Sequence, residues 1–438
     1  MTTHRRFRRA ALPAALLTAL AAGPAAQASG FAVPESSVAG LGTANAMVAN
    51  PDEIGAFVYN PAAMAFHDQS SLAVGALMIG PDFSVRTDSG SHDSAGADWL
   101  AAPMLQAALR INDQWSVGLG VTAPFGLETR WETGTFPALT NSAPLPSPPF
   151  PAGNTIPLSP QPTASELEIV DINPTATYRV NQHLALSAGA DIYWGKSAQL
   201  NSSITQLEGD GTGLGFNVSA LYVKDALSLG INFHSAATVE LDGTYSVLDS
   251  NLVATQFSAP SQSGELDLDL PWRLQLGIRY EVTPQLAVEV DWTRTGWSEF
   301  KEIKVIGDLN GDTIVQDTND WSDANAYRLG ATYQLTDQTQ LRFGYSYDET
   351  GQEDDYFSPR IPDNDRHLFS LGVSHALQDG WQVEAGYMYV MISERDVRGS
   401  RPYAGAGPEI NGTDAVAGKY EAHAHLVGLE VSKRFDLF

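Results

Sequence analysis

The side chains most able to do chemistry are arginines that alternate with apolar residues in the middle of the chain. They are Arg273, Arg279, Arg328 and Arg342. Successive side chains of a β-strand point to opposite faces, so these arginines lie on the face opposite the apolar side chains. A guanidinium can bind the carboxylate of an amphiphilic ligand through paired hydrogen bonds. The alternative is that each arginine pairs with a carboxylate of the chain, and the candidates are Glu281, Glu289, Asp291 and Asp348.

A second pattern concerns metal binding. Asp308, Asn310 and Asp312 have the spacing of the first calcium ligands in an EF-hand loop, and Ile314 could offer its carbonyl. The twelfth position of that loop would be Asn319, which cannot supply a bidentate carboxylate. The alternative is the polar tip of a hairpin. The segment is a calcium candidate with an incomplete motif, and no metal site is assigned.

Other reactive groups give no catalytic pattern. His423 and His425 share one face of a strand as a metal pair would, but no third ligand follows nearby, so interfacial histidines are the simpler interpretation. The chain has no cysteine and no G-x-S-x-G motif, which removes cysteine nucleophiles and this signature of a serine nucleophile. We therefore expect no catalytic residue, no cofactor and no enzymatic activity.

The elements that carry these residues are amphipathic strands. Residues 274–280, 286–293, 327–335 and 341–348 each alternate apolar with polar or small side chains. Six short polar turns would join fourteen strands together with seven long polar loops, near 86–97, 127–165, 198–213, 241–262, 307–320, 349–365 and 394–419. Short turns on one side and long loops on the other predict an all-β fold, a 14-stranded antiparallel transmembrane β-barrel. A soluble sheet with the apolar face as its core is the alternative, because periodicity alone does not separate the two.

The net charge and the sequences at both ends of the chain are those expected of an exported barrel. The 438 residues carry a net charge of −26, which opposes binding to nucleic acid. Residues 1–28 combine a basic start, a short apolar stretch and Ala26-Gln27-Ala28, the pattern of a cleaved secretory signal. The last strand ends at Phe438, which resembles the signal that the barrel-assembly machinery reads. We expect the cell outer membrane of a Gram-negative bacterium as the location.

The segment between the signal and the first strand differs from the rest. Residues 29–70 are rich in alanine, glycine, serine and asparagine and show no amphipathic strand. Their apolar side chains need burial, and the lumen of the barrel is the nearest place for it. We expect an N-terminal hatch over residues 29–70 and a barrel over 71–438. Asn60, Pro61 and Ala62 are expected to anchor the hatch, although an ordinary Asn-Pro turn is the alternative.

These features resemble a known family. The chain resembles the FadL/TodX family of outer-membrane transporters for long-chain fatty acids and other hydrophobic compounds, over nearly all of its mature length. The motifs that carry the resemblance are Ser29-Gly30-Phe31, Glu35-Ser36-Ser37, Gly40-Leu41-Gly42, Asn60-Pro61-Ala62, Ala123-Pro124-Phe125-Gly126-Leu127, Asp291-Trp292-Thr293 and Pro362-Asp363-Asn364-Asp365-Arg366. The resemblance implies a hatch-filled barrel whose ligand is captured by loops, enters a buried apolar pocket, and leaves sideways into the outer leaflet.

The resemblance also implies residue roles. Phe31, Val33 and Phe125 are candidate pocket walls, and one of the four arginines is the candidate head-group site. An inward kink of the third strand would open the exit. The kink candidates are Gly118, Gly120, Pro124 and Gly126.

The expected partners are a long-chain fatty acid or other hydrophobic molecule, outer-membrane lipids and the barrel-assembly machinery, with the protein as a monomer. A porin for polar solutes and a purely structural or adhesive barrel are the alternatives. The proline-rich loop over 141–162 departs from the family pattern, and the sequence does not say whether the substrate is a fatty acid, an aromatic hydrocarbon or an alkane.

Overall fold

The computed structural model of the chain describes residues 30–95, 99–140, 142–157, 161–249, 251, 253, 259–309, 311–399, 401 and 413–436. The expected signal segment 1–28, Ser29, Asn310 and Phe438 lie outside these ranges. Across the residues described, no helix has the length and apolar character needed to cross a membrane.

The described residues form one antiparallel sheet of fourteen strands that closes on itself, as predicted. The first half consists of β1 (Ser70–Thr87), β2 (Gly90–Asp93 and Leu100–Arg110), β3 (Trp115–Arg130), β4 (Pro162–Arg179), β5 (Leu184–Ser202), β6 (Thr205–Lys224) and β7 (Leu227–His234 and Ala237–Val247). The second half consists of β8 (Ser261–Leu270 and Arg273–Thr283), β9 (Leu286–Thr295 and Glu302–Gly307), β10 (Thr313–Thr318 and Ala324–Gln334), β11 (Thr339–Asp348), β12 (Arg366–Ala376), β13 (Trp381–Val397) and β14 (Gly418–Phe435). Pairing of β1 with β14 from Ser70↔Phe435 to Arg86↔Lys419 closes the barrel.

The connections follow the predicted asymmetry with two corrections. The predicted short turns each join two neighbouring strands at one end of the barrel. At the other end, segments 198–213 and 307–320, expected as loops, instead continue as paired strands: β5 and β6 run to a turn at 203–204, and β9 and β10 to one near 308–312. Apolar residues such as Leu200, Leu207, Ile314 and Val315 occur in these strands, but the polar residues between them made the segments resemble loops in the sequence.

The two faces of the barrel wall have the polarity of a membrane protein. On β8, the outward Leu276, Ile278 and Tyr280 are 40–44% exposed, while the inward Gln275 and Arg279 are 4% and 6% exposed. A soluble sheet would bury the apolar set instead. In lipid the apolar face needs no protein cover, and closure of the sheet gives backbone polar groups internal partners.

The hatch, residues 30–69, fills the barrel. It contains the short helix α1 (Val38–Gly42), which Ser37 caps through its side chain, and two 3₁₀ turns over Ile54–Ala56 and Pro61–Phe66. Leu41 and Met47 are fully buried against the barrel wall. The wall is so close that a Cβ atom at Gly230 of β7 or Gly344 of β11 would overlap the hatch backbone. Glycine at these wall positions therefore allows the close approach.

Charges at the inner wall bind the hatch. Arg342 of β11 lies 2.8 Å from Glu53 of the hatch and 3.1 Å from Glu384 of β13. On β9, Asp291 accepts the amide hydrogens of Met47 and Val48 at 2.8 and 3.0 Å, and Glu289 accepts that of Ala49 at 2.7 Å. Also, Arg279 lies 3.4 Å from Asp52. The Asp291 and Glu289 carboxylates thus accept hydrogen bonds from hatch amides that have no partner within a helix or strand.

The first prediction concerns Arg342. Its removal leaves the buried carboxylates of Glu53 and Glu384 without their cation, a loss of about 3–5 kcal/mol. We expect Arg342→Ala to loosen the hatch and to raise the ion conductance of single barrels in planar bilayers. Arg294→Ala is the matched control, because Arg294 pairs with Asp323 but its side chain is 38% exposed. Equal, low conductance of both variants would contradict the anchoring role.

Candidate functional site

The barrel wall has a gap between β2 and β3. The two strands pair from Arg110↔Ser116 to Leu105↔Val121, and the ladder stops there. Beyond that point Leu100–Met104 of β2 keep their pairing with β1 but have no partner on β3. The strands meet again at the rim, where the Ala95 amide donates to the Arg130 carbonyl at 3.0 Å. We call this opening, between Leu100–Met104 and residues 122–126, the lateral gap.

A bulge in β3 produces the gap. Pairing of β3 with β4 shifts register between Thr122↔Asp171 and Phe125↔Ile169, so Ala123 and Pro124 together oppose the single residue Val170. An extra residue in one strand bends it away from its neighbour. Pro124 has no amide hydrogen to leave unpaired at the bend. Pro124 and Gly126 of the predicted kink residues therefore lie at the bulge.

The other two kink candidates lie elsewhere on β3. Gly118 faces the Phe57 ring and Met64 of the hatch, and a Cβ atom there would approach that ring to 2.5 Å. A Cβ atom at Gly120 would lie 3.3 Å from Val58, a tight contact, and 3.6 Å from Phe57. Both glycines lie on the paired part of the strand. They make room for the hatch below the bulge.

The start of the hatch pairs with the bulge from inside the barrel. The Val33 amide donates to the Pro124 carbonyl at 2.8 Å, and the Gly126 amide donates to the Phe31 carbonyl at 3.0 Å. Ala32 and Phe125 form the β-bridge between these bonds. The Pro124 carbonyl and the Gly126 amide of β3 thus find partners on the lumen side, as a break in a spanning sheet requires.

Aromatic rings surround the first residues of the hatch. The Phe31 ring centroid lies 5.7 Å from that of Phe125, 4.8 Å from Trp297, 5.2 Å from Phe300 and 6.2 Å from Trp321. Tilted and edge-to-face contacts at these distances are favourable for aromatic rings. Phe31 therefore fixes the hatch start in an apolar cluster at the extracellular side of the cavity.

A cavity of about 370 Å³ lies against this hatch start and reaches the lateral gap. The predicted wall residues Phe31, Val33 and Phe125 all line it. Of the predicted arginines, Arg273 and Arg328 line it, and the structure places Arg279 and Arg342 on the hatch carboxylates instead. The cavity thus combines apolar walls with a few charged groups, as a site for an amphiphile does.

Charged groups that sequence reasoning missed also line the cavity. Lys196 lies 2.8 Å from Glu168, and Arg366 lies 2.8 Å from Asp363 and donates to the Gly30 carbonyl. Arg366 belongs to the family motif Pro362-Asp363-Asn364-Asp365-Arg366, and this motif is the sequence feature that could have indicated its place in the cavity. Lys196 has no motif, and only the strand packing brings it to the cavity.

The hatch contributes a carboxylate to the cavity as well. Glu35 lines the cavity and accepts a hydrogen bond from the Asn45 amide at 2.8 Å. Burial raises the pKa of Glu35, and the Asn45 hydrogen bond partly opposes that effect. The Tyr59 hydroxyl donates to the Asn45 side-chain oxygen at 2.7 Å. The hydrogen bonds from Tyr59 to Asn45 and from Asn45 to Glu35 therefore link the cavity to the residue just before Asn60.

Asn60 connects the hatch to the barrel wall. Its side-chain amide donates to the Val48 carbonyl at 2.7 Å and to the Ala220 carbonyl of β6 at 3.1 Å. Its side-chain oxygen accepts from the Ala62 amide at 3.1 Å and caps the turn that Pro61 begins. The predicted Asn60-Pro61-Ala62 segment therefore contacts both hatch and wall.

The remaining candidates lie away from the cavity. Asp308 and Asp312 flank a tight hairpin tip in which the Gly307 amide bonds the Asp312 carbonyl, and the described residues contain no group of three potential metal ligands. His423 and His425 face outward on β14, where His425 bonds the Tyr387 hydroxyl at 2.8 Å. In the proline-rich loop, Ser142–Pro144 and Thr155–Pro157 form a short ribbon.

A closed barrel with an internal hatch and a break in its wall defines a class of outer-membrane channel. The family model described as outer membrane protein transport protein (OMPP1/FadL/TodX) matches residues 19–142 and 153–435. The chain belongs to this family of outer-membrane proteins.

Related proteins share most of the chain. The long-chain fatty acid transport protein of Escherichia coli O6:H1 is 28% identical over 387 residues, which are 78% of this chain and 82% of that protein. The 47 kDa outer membrane protein of Pasteurella multocida is 27% identical over 85% of this chain and 88% of its own length.

Solved structures share the fold. The crystal structure of a Pseudomonas aeruginosa FadL homologue has a TM-score of 0.76 at 20% identity and covers 93% of this chain and 100% of that one. The Pseudomonas putida toluene transporter TodX has a TM-score of 0.64 at 16% identity, with 88% and 95% covered.

The second prediction concerns Asn60. Asn60→Ala removes the side-chain donor to the buried Val48 carbonyl and the contact with the Ala220 carbonyl of β6, and a buried carbonyl without a donor costs about 1–3 kcal/mol. We expect lower uptake of labelled fatty acid together with faster sugar entry in liposome-swelling assays. Asn181→Ala is the control, because Asn181 caps a turn through the His183 and Leu184 amides without touching the hatch. Unchanged uptake and unchanged sugar exclusion in Asn60→Ala would reject the anchor.

Proposed function

We propose that this protein takes up long-chain fatty acids or similar hydrophobic compounds and releases them sideways into the outer membrane. The single observation that supports this function best is the continuity between the cavity and the lateral gap. A ligand bound beside Phe31 has an opening toward lipid within the same cavity. The hatch lies below it.

The lateral route is favoured on energetic grounds. A hydrophobic molecule that crossed the whole lumen would enter water and lose about 25 cal/mol for each Å² of apolar surface exposed again. Release into lipid avoids that loss. The lumen route would also require displacement of the buried hatch, whose Leu41, Met47 and Val48 side chains are fully buried.

A porin for polar solutes is the less favoured function. A porin needs a water-filled lumen, whereas here the hatch packs against the inner wall with charge pairs and amide–carboxylate bonds. The family relatives named above include transporters of long-chain fatty acids and of toluene. Both substrate types have a large apolar part, which fits a cavity lined by Phe31, Phe125 and Leu426.

The third prediction tests the route with a crosslink, since the chain has no native cysteine. Ala101→Cys on the outer edge of β2 and Ala123→Cys on β3 face the gap from its two sides. Joining them with a short bismaleimide should stop uptake of labelled fatty acid and leave its binding intact, because the cavity keeps its walls.

The control pair is Ala107→Cys with Leu119→Cys. These residues are already opposite each other in the β2–β3 ladder, so their crosslink should not change uptake. If the gap crosslink is verified by mass spectrometry and uptake continues at the original rate, the lateral route is excluded.

A further inference from the structure

Strands β3–β5 give the cavity a mixed wall of apolar residues with Glu128, Glu166, Glu168 and Lys196, and the rest of the barrel wall around the cavity divides into a polar half and an apolar half. The side chains that strands β8–β11 contribute to the cavity are polar except for Ala326: they are Arg273, Gln275, Thr293, Thr295, Arg328 and Asp348. Strands β12–β14, β1 and β2 contribute apolar side chains except for Arg366 near the top, among them Leu368, Val390, Leu426, Ile79, Phe83 and Leu100.

The polar half lies opposite the lateral gap. With fourteen strands in one closed ring over the described residues, β9 is seven strands from β2 in either direction. The lateral gap adjoins the apolar half through β2 and the mixed wall of β3–β5 through β3. The polar half is on the opposite wall, at the far end of a diameter that begins at the gap.

Arg273 is the cation of the polar half that is available to a ligand. Arg328 is bound to Asp348 at 3.2 Å and to the Thr293 hydroxyl at 2.5 Å. Arg273 of β8 is attracted electrostatically by Asp171 and Asp191, yet within the described part of the chain no carboxylate lies within 4.0 Å of it. Its buried Nε hydrogen has no acceptor there; the Nε of Arg328 has none either, but Asp348 and Thr293 already hold the rest of that guanidinium. A buried donor without a partner indicates a place for an acceptor.

We propose that an amphiphilic carboxylate lies across the barrel with its head group on Arg273 and its tail along the apolar half, and that it leaves through the lateral gap tail first. This orientation rests on the proposed function and adds the order of events at its site. Arg273 holds the charged end while the tail enters lipid. The carboxylate leaves last, when the membrane already holds the apolar part of the molecule.

The physical reason is the different cost of moving the two ends. The tail passes from one apolar surface to another, so its transfer changes the free energy little. The carboxylate loses charge-assisted hydrogen bonds and needs water or polar head groups in exchange. If the carboxylate head group left first, it would have to pass along the apolar wall of β12–β14 and β1 before it reached the gap.

Photo-crosslinking of the intact protein tests the orientation. Two palmitic acid probes carry a diazirine, one at the terminal carbon and one beside the carboxylate. The terminal probe should label Ile79, Leu100 or Ala102 near the gap, and the carboxyl-side probe should label Gln275 or Thr293. Mass spectrometry of the labelled peptides gives the pattern. Reversed labelling, or labelling of both walls by each probe, would overturn the orientation.

An arginine variant tests the head-group site. Arg273→Gln should weaken palmitate binding by about tenfold to a hundredfold and leave the binding of hexadecane unchanged. Arg294→Gln, a change at an exposed arginine of β9 that is outside the cavity lining, should affect neither. Equal palmitate affinity in Arg273→Gln and the wild type would reject the site.

Uptake of a two-headed ligand separates this inference from the proposed function. Hexadecanedioic acid carries a second carboxylate at the end that should leave first, so its uptake should be much slower than that of palmitate. Equal uptake of the two acids would overturn tail-first exit while the lateral channel stood. Uptake of palmitate that continues at the original rate after the verified Ala101→Cys/Ala123→Cys crosslink would instead overturn the proposed function itself.

Discussion

A sheet that spans a membrane has to satisfy every backbone N–H and C=O group without help from lipid, and the site of this protein depends on how it meets that requirement at one break. The β3 bulge separates β3 from β2, which in lipid would leave unpaired polar groups. The hatch start supplies the partners: Val33 donates to Pro124, and Gly126 donates to Phe31. The same contact that permits a gap in the wall therefore also holds the hatch beside it.

The hatch in turn depends on charges that the barrel presents inward. Asp291 and Glu289 accept three consecutive hatch amides, and Arg342 binds Glu53. Each of these groups would be costly to bury alone. Their mutual contacts make the lumen a tightly packed polar and apolar interior. The cavity remains as a limited space above it, bounded by Phe31 and its aromatic neighbours.

The sequence predicted the barrel well because alternation of side chains in a strand is a local property. The fourteen strands and the short turns follow from such patterns, whereas the hatch was predicted from the absence of an alternating strand before Ser70 and from the apolar residues there that need burial. Two of the expected loops were wrong because polar residues on the outer face of extended strands look like loop residues. The bulge lies within the family motif around Pro124. The spacing of residues alone did not distinguish Pro124 from Gly118 as the position of the kink.

The roles of the four arginines could not be predicted. All of them alternate with apolar residues, and their separate positions depend on which hatch residue reaches each point of the wall. Arg342 meets Glu53, which is 289 positions away in the chain, and Arg279 meets Asp52. Arg273 is left facing the cavity because no such carboxylate reaches it among the residues described. Contacts at that sequence separation leave no local signal.

The closure of the barrel through β1 and β14 also sets an order of assembly. The two strands come from opposite ends of the sheet, and their pairing runs from Ser70↔Phe435 to Arg86↔Lys419, so it cannot form until the last strand has been made. The hatch, which precedes β1, contacts strands as late as β14. The residues that leave the ribosome soon after the start of the chain are thus among the last to reach their final place. Until then the apolar side chains of the hatch are not buried in the barrel. The many alanines and glycines of this segment keep its exposed apolar surface small.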